Sequence, residues 1–336
     1  MTGTSPPIGN RFNVVMTAPT LAAPALALLE QAGCTVHTTP PYPDAPALAA
    51  LVARVQADAI LCRQGRVDAS VLAASPLLRI VARHGVGVDE VDLAAAASRG
   101  VLLTNAPGSN AAAVAEHALA LILALVKDLL PLRDHVSAGG WRGGTTQVRD
   151  VSGMRLGLIG FGAIGRRVAR LALGFDMAVA AFDPAAPAEA FGTVRRAPDL
   201  AALLAGTQVL SLHCPLTPAT RHIVDAAALA ALSPPALIVN TARGGLIDEA
   251  ALFAALESGR VNGAALDVFE REPPAPEDPL RRHPRVIATP HVAGVTDQAL
   301  VTMGVMAAEC IVAALTGGTV PPERVVVPAR PGQPGL

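Results

Sequence analysis

The chain has 336 residues, of which 51% are hydrophobic and 16% charged, and its formal net charge is −1. That length suggests two domains, and the composition supplies a buried core and excludes bulk disorder. No basic block occurs, so neither nucleic acid nor an anionic membrane surface is an expected partner.

Residues 1 to 104 read as short strands alternating with helices. "NVVMTAP", "CTVHT", "AILCR", "LRIVARHG" and "VLLTNA" are strand-like; "PALALLEQAG" and "APALAALVARVQ" are helix-like. Such alternation implies a parallel sheet with crossover helices. Asn110 is the expected cap of one long helix, "AAAVAEHALALILALVKDLL", with Pro131 just past its end. The Gly-rich stretch "SAGGWRGGTT" then surrounds Trp141. From 155 six apolar runs follow: "LGLIG", "AVAAFD", "QVLSLH", "ALIVNTA", "GAALDVF" and "RVIATPH". Asp248 and Gly259 are the expected ends of the helix "DEAALFAALESG". After His291 come one helix, "DQALVTMGVMAAECIVAAL", and a polar Pro-rich tail. The longest uncharged apolar run, "HALALILALV", is well short of the ~20 residues that span a bilayer. Cys34, Cys62, Cys214 and Cys310 have no paired spacing, which fits reduced thiols in the cytoplasm and no metal site.

The glycines of "LGLIGFGAIGRRVA" form GxGxxG between an apolar strand and a helix. Gly160 permits the tight turn, Gly162 lets the backbone approach a pyrophosphate, and Gly165 lets helix and strand pack closely. Asp183 ends the next strand, where a carboxylate accepts hydrogen bonds from a ribose and repels a 2′-phosphate. The expected cofactor is therefore NAD.

Ligands of open parallel sheets lie beyond the carboxyl ends of the strands. There stand Arg243 after "ALIVNTA", Asp267 and Glu272 in and after "GAALDVF", and His291 after "RVIATP". An arginine holds a carboxylate in a fork and polarises a carbonyl. A histidine charged by a neighbouring carboxylate delivers a proton. These types suit hydride transfer to a 2-oxo acid.

The segments "RHGVGVDEVDL", "NAAAVAEHALALIL", "LGLIGFGAIGRRVA", "HCPLTPATRHIV", "VNTARGGLIDEAAL", "GAALDVFEREP" and "TPHVAG" make the chain resemble the D-isomer-specific 2-hydroxyacid dehydrogenases, from about residue 60 to 315. The resemblance implies an α/β protein of two doubly wound parallel-sheet domains. A Rossmann NAD-binding domain, 106–296, is inserted into a flavodoxin-like substrate domain, 1–105 with 297–336. It implies a catalytic trio of Arg243, Glu272 and His291. Ala163, Ile164 and Asp183 would line the pyrophosphate and ribose, with Cys214 and Thr241 along the cofactor and Asp267 facing the nicotinamide carboxamide. Backbone groups near Val86 and Gly87 would hold the substrate carboxylate. It also implies a homodimer, and a cleft whose closure excludes water.

The substrate stays open among 3-phosphoglycerate, glycerate with hydroxypyruvate, glyoxylate and lactate. Arg63 and Arg83 are either contacts for a second acidic group on the substrate or packing residues. His213 reads as a wall of the cofactor site, and His84 as either a substrate-loop or a turn residue. A phosphite-type dehydrogenase and an NAD-sensing corepressor are the rival readings.

Overall fold

The computed structural model describes residues 12–143 and 147–329. Residues 144–146 of the Gly-rich stretch and the last residues of the tail lie outside this range. The chain divides into two compact units, Met1–Asn110 with Val295–Leu336, and Ala111–Gly294.

The first unit contains β1 (Phe12–Met16), β2 (Cys34–Thr38), β3 (Ala59–Cys62), β4 (Ile80–Arg83) and β5 (Leu102–Thr104). The second contains β6 (Arg155–Ile159), β7 (Ala178–Phe182), β8 (Arg195–Arg196), β9 (Val209–Leu212), β10 (Ala236–Asn240), β11 (Val261–Leu266) and β12 (Val286–Ala288). β13 (Val325–Val327) returns to the first unit. Its sheet runs β13-β5-β4-β3-β1-β2, all parallel except β13, which pairs antiparallel with β5. The order of the first five strands is that of a flavodoxin-like sheet. The second sheet runs β12-β11-β10-β9-β6-β7-β8 and is parallel throughout its pairings. Its first six strands have the doubly wound order of a dinucleotide-binding domain, and β12 extends it.

Side-chain alternation along each strand builds a core on both faces of each sheet. Leu156, Leu158 and Val239 enter one core of the second unit, whereas Ile159, Leu210 and Ile238 enter the other. In the first unit Val14 and Met16 point to one face and Val15 to the other. The helix Ala163–Leu173 buries Gly165, Val168, Ala169 and Ala172, spaced by three and four residues, so Arg166, Arg167 and Arg170 fall on its outer side.

Several expectations are corrected. The long helix after Asn110 is two helices, Ala111–Val126 and Leu129–Ser137, broken where Asp128 takes the left-handed conformation at φ 48°. Pro131 lies in the first turn of the second helix, where its missing N–H is no loss. Asn110 Oδ1 is buried without a hydrogen-bond partner, so it does not cap the first helix as expected. The second unit has seven strands rather than six, because β8 is two exposed arginines that break no apolar pattern. The tail is not wholly irregular, since three valines between its prolines form β13. The helix Asp297–Thr316, which includes the charged Asp297 and Glu309, is long and apolar enough by length and composition to span a membrane. Its Met303, Ala307, Ala308, Cys310 and Ile311 are buried in the first unit, as in a core helix. Asp248 caps its helix as expected, accepting from Ala251 N–H at 3.0 Å, and Gly259 follows the helix end at φ 76°.

Candidate active site

The glycine loop follows β6. Gly160 has φ 94°, and a Cβ there would stand 2.6 Å from the Cys214 nitrogen. A Cβ on Gly165 would overlap the Gly160 carbonyl oxygen. Gly162 faces open space and starts the helix with no side-chain cap. The first turn at Ala163, Ile164 and Gly165 therefore keeps N–H groups for an anion, and the helix dipole favours one. Thr241 Oγ1, just past β10, is buried without a hydrogen-bond partner, a polar atom left for a ligand. These features fit a dinucleotide whose pyrophosphate sits on the glycine loop.

Asp183 directly follows β7 and braces this loop. Its Oδ2 accepts from Phe161 N–H at 2.8 Å, and its Oδ1 from Ala185 and Ala186 N–H at 2.9 and 3.2 Å. The loop between the glycines is also fixed by Phe161 stacking on Phe191, with ring centroids 4.7 Å apart. Behind the glycines lies His213. It is half-buried, and desolvation pushes its pKa down to about 4. Its Nε2 shares a 2.9 Å hydrogen bond with Ser211. A neutral imidazole has no acidic proton to give near pH 7. Burial likewise pushes the Cys214 thiol up to about 11, so it is not a thiolate.

Arg243, Glu272 and His291 leave the sheet after β10, β11 and β12 respectively. His291 Nδ1 and Glu272 Oε2 are 2.6 Å apart. The hydrogen bond to Glu272 raises the His291 pKa, against the opposing effects of burial and the Arg243 charge. Burial alone would push Glu272 up; its hydrogen bond to His291 and the His291 charge, with Phe269 N–H and Arg243, hold it below the usual carboxylate range. Arg243 thus acts electrostatically on both partners. Its carbonyl accepts from Asn240 Nδ2 at 2.8 Å, which anchors the arginine loop to the end of β10.

The resemblance places Asp267 toward the cofactor. In the structure its side chain is 1% exposed and turns into the segment that carries His291. Its carboxylate accepts from Thr289 Oγ1 at 2.6 Å, Val292 N–H at 2.9 Å and Ala293 N–H at 2.8 Å. His291 N–H also bonds the Asp267 carbonyl at 2.8 Å, and His291 itself has φ 53°. Asp267 therefore fixes the turn that aims the histidine. His117, from the helix Ala111–Val126, joins through Thr289 Oγ1 at 3.3 Å.

Three further contacts have no motif to announce them. His222 pairs with Glu270, and Glu270 N–H donates to Glu249 Oε1 at 2.8 Å. His222 N–H also donates to Gly245 O at 2.9 Å, so one residue joins the loops of Arg243 and Glu272.

Val86 and Gly87 belong to the other unit, in the turn after β4. Arg83, a candidate substrate contact, is spent inside the protein. Its guanidinium donates to the carbonyls of Gly87, Cys62 and Arg63 at 2.8, 3.0 and 2.6 Å, and pairs with Glu90. The half-buried Arg63 makes no side-chain hydrogen bond or ion pair among the described residues. His84 is buried beside it, and burial, then the Arg63 charge, pushes its pKa down to about 4.

A family model described as "D-isomer specific 2-hydroxyacid dehydrogenase, NAD binding domain" matches residues 119–293. A D-3-phosphoglycerate dehydrogenase of Mycobacterium leprae is 43% identical over 281 residues, 83% of this chain and 53% of that protein. The chain thus spans about half the length of such relatives. An (S)-sulfolactate dehydrogenase of Chromohalobacter salexigens is 43% identical over 71% of this chain and 78% of that one. The crystal structure of the TT0316 protein from Thermus thermophilus superposes with a TM-score of 0.85 at 34% identity, covering 94% of this chain and all of that one. The chain belongs to the D-isomer specific 2-hydroxyacid dehydrogenase family, whose NAD binding domain its second unit carries.

Proposed function

We propose that the protein interconverts a small D-2-hydroxyacid and its 2-oxo acid with NAD. The observation that carries this reading is the His291–Glu272 hydrogen bond of 2.6 Å at the carboxyl edge of a dinucleotide-binding sheet, with Arg243 acting on both. A bound nicotinamide supplies or accepts the hydride. Arg243 holds the substrate carboxylate and polarises the carbonyl oxygen. In the first unit, the turn at Val86 and Gly87 offers backbone groups to a substrate carboxylate, as the resemblance implies. Because Glu272 occupies His291 Nδ1, the other ring nitrogen passes the proton to the substrate oxygen. Glu272 keeps that imidazole charged until it gives the proton up. Asp183 selects NAD over NADP, its negative charge standing where a 2′-phosphate would lie.

The substrate belongs to the 3-phosphoglycerate, glycerate/hydroxypyruvate or glyoxylate type. A homodimer is supported by the helix Leu129–Ser137, which buries no residue within the chain, and by Trp141, which is 78% exposed. Four free cysteines support a reducing, cytoplasmic setting.

The test is NADH oxidation by the purified protein with hydroxypyruvate, glyoxylate, pyruvate and 3-phosphohydroxypyruvate, and NADPH in parallel. Turnover of one acid with kcat/KM above ~10⁴ M⁻¹s⁻¹ supports the reading. Binding of NADH without turnover of any 2-oxo acid overturns it, and a preference for NADPH overturns the role of Asp183.

A further inference from the structure

We infer that Arg83 and Asn105 are positioning residues that orient the carboxylate-binding turn, and that neither touches the substrate. This rests on the proposed function, which assigns the turn at Val86 and Gly87 to the substrate carboxylate.

Three consecutive carbonyls of this turn are held from behind. Gly85 O accepts from Ala106 N–H at 2.9 Å. Val86 O accepts from Asn105 Nδ2 at 2.8 Å. Gly87 O accepts from Arg83 Nε at 2.8 Å. The only cis peptides among the described residues precede prolines elsewhere, so these three are trans. In a planar trans peptide the N–H points opposite to the C=O. Fixing each carbonyl therefore turns the next N–H, of Val86, Gly87 and Val88, away from the donors behind. Among the described residues none of these three N–H groups has an acceptor. Successive free N–H groups suit an anion.

Arg83 is the central strut. Its side chain is 13% exposed, and it ties the turn to the carbonyls of Cys62 and Arg63 at the end of β3 and to the Glu90 carboxylate. With Nε and both Nη groups engaged, no edge of the fork is left for a substrate carboxylate. Asn105 reaches the turn from the end of β5, where its own N–H bonds Arg324 O at 2.9 Å.

A positioning role and a direct contact differ in what they do across substrates. A direct contact to a second acidic group would matter for 3-phosphohydroxypyruvate and not for glyoxylate, which has no tail. An oriented turn serves the carboxylate that all 2-oxo acids share. The experiment measures kcat and KM for both acids, and the inhibition constant of oxamate, in the wild type, Asn105→Ala and Arg83→Gln, with the NADH Kd of each. Asn105→Ala should raise both KM values and the oxamate constant by about 3- to 10-fold, the loss of one hydrogen bond. Arg83→Gln should raise them by about 10- to 100-fold, as several bonds go at once. For both variants kcat and NADH Kd should stay within about twofold. Asn105→Ala keeps the inference testable if Arg83→Gln fails to fold. A rise confined to the phosphorylated acid overturns the inference, as does an Asn105→Ala enzyme with unchanged KM. A wild-type protein inert toward every 2-oxo acid fails earlier, overturning the proposed function and this inference with it.

Discussion

Gly244 lies against the peptide joining Phe269 to Glu270 so closely that a Cβ on it would overlap the Phe269 carbonyl carbon and oxygen. The loop that carries Arg243 and the loop that carries Glu272 are therefore packed backbone to backbone. No flexible side chain lies between them to absorb an added methyl group. Gly244→Ala should destabilise the fold by about 1–3 kcal/mol, the usual cost of overpacking. Because the two loops must separate, kcat should fall as well. Thermal melting and steady-state kinetics of the variant check this, and an unchanged Tm with normal turnover would contradict it.

The pH dependence follows from the His291–Glu272 pair. In the proposed mechanism reduction needs the imidazolium, so kcat/KM for a 2-oxo acid should hold at low pH and decline as pH rises through the raised His291 pKa. Glu272→Gln removes the charge that raises it and should move the declining limb to lower pH. A limb that stays in place would exclude Glu272 as its cause. Stability obeys the same linkage. The raised His291 contributes fully below its ordinary value of 6.5 and loses that contribution as pH rises through the folded value. The lowered Glu272 contributes fully above its ordinary value of 4.5 and loses it as pH falls through the folded value. The pair is most stabilising between about pH 4.5 and 6.5, by a small amount because both side chains are well exposed to solvent.

Asp267 offers a separate test of how His291 is aimed. All three groups on its carboxylate are donors: a hydroxyl and two backbone N–H groups. Asn in its place must turn an NH₂ toward one of them or leave a donor unpaired. Asp267→Asn should cost about 1–3 kcal/mol of stability. It should lower kcat more than it weakens NADH binding, since the affected turn carries the histidine. Urea unfolding and NADH titration of the variant measure the two effects, and a variant with wild-type stability would show that the network carries no weight.

The parts legible in the sequence are those where chemistry restricts residue type. The glycines at 160, 162 and 165, Asp183 one strand later, and Arg243, Glu272 and His291 at strand ends each leave a local mark. Strands β6, β7 and β9 to β11 announce themselves as apolar runs because both their faces are buried. β8 does not, because Arg195 and Arg196 pair at an exposed sheet edge through backbone alone. The break at Asp128 is invisible for a related reason: a left-handed non-glycine residue is set by what surrounds it. His222 and Glu270 are 48 positions apart and meet only through the fold. Arg83 is legible as a cation near the turn, but only its four partners show that it faces inward.

The role of Arg243 is the centre of the account, and Arg243→Ala assayed beside the wild type on its best 2-oxo acid tests it most directly. Loss of both anchoring and polarisation predicts a fall in kcat/KM on the order of 10²–10⁴, with NADH binding retained. A variant that binds NADH and turns over at near wild-type kcat/KM would contradict the assignment.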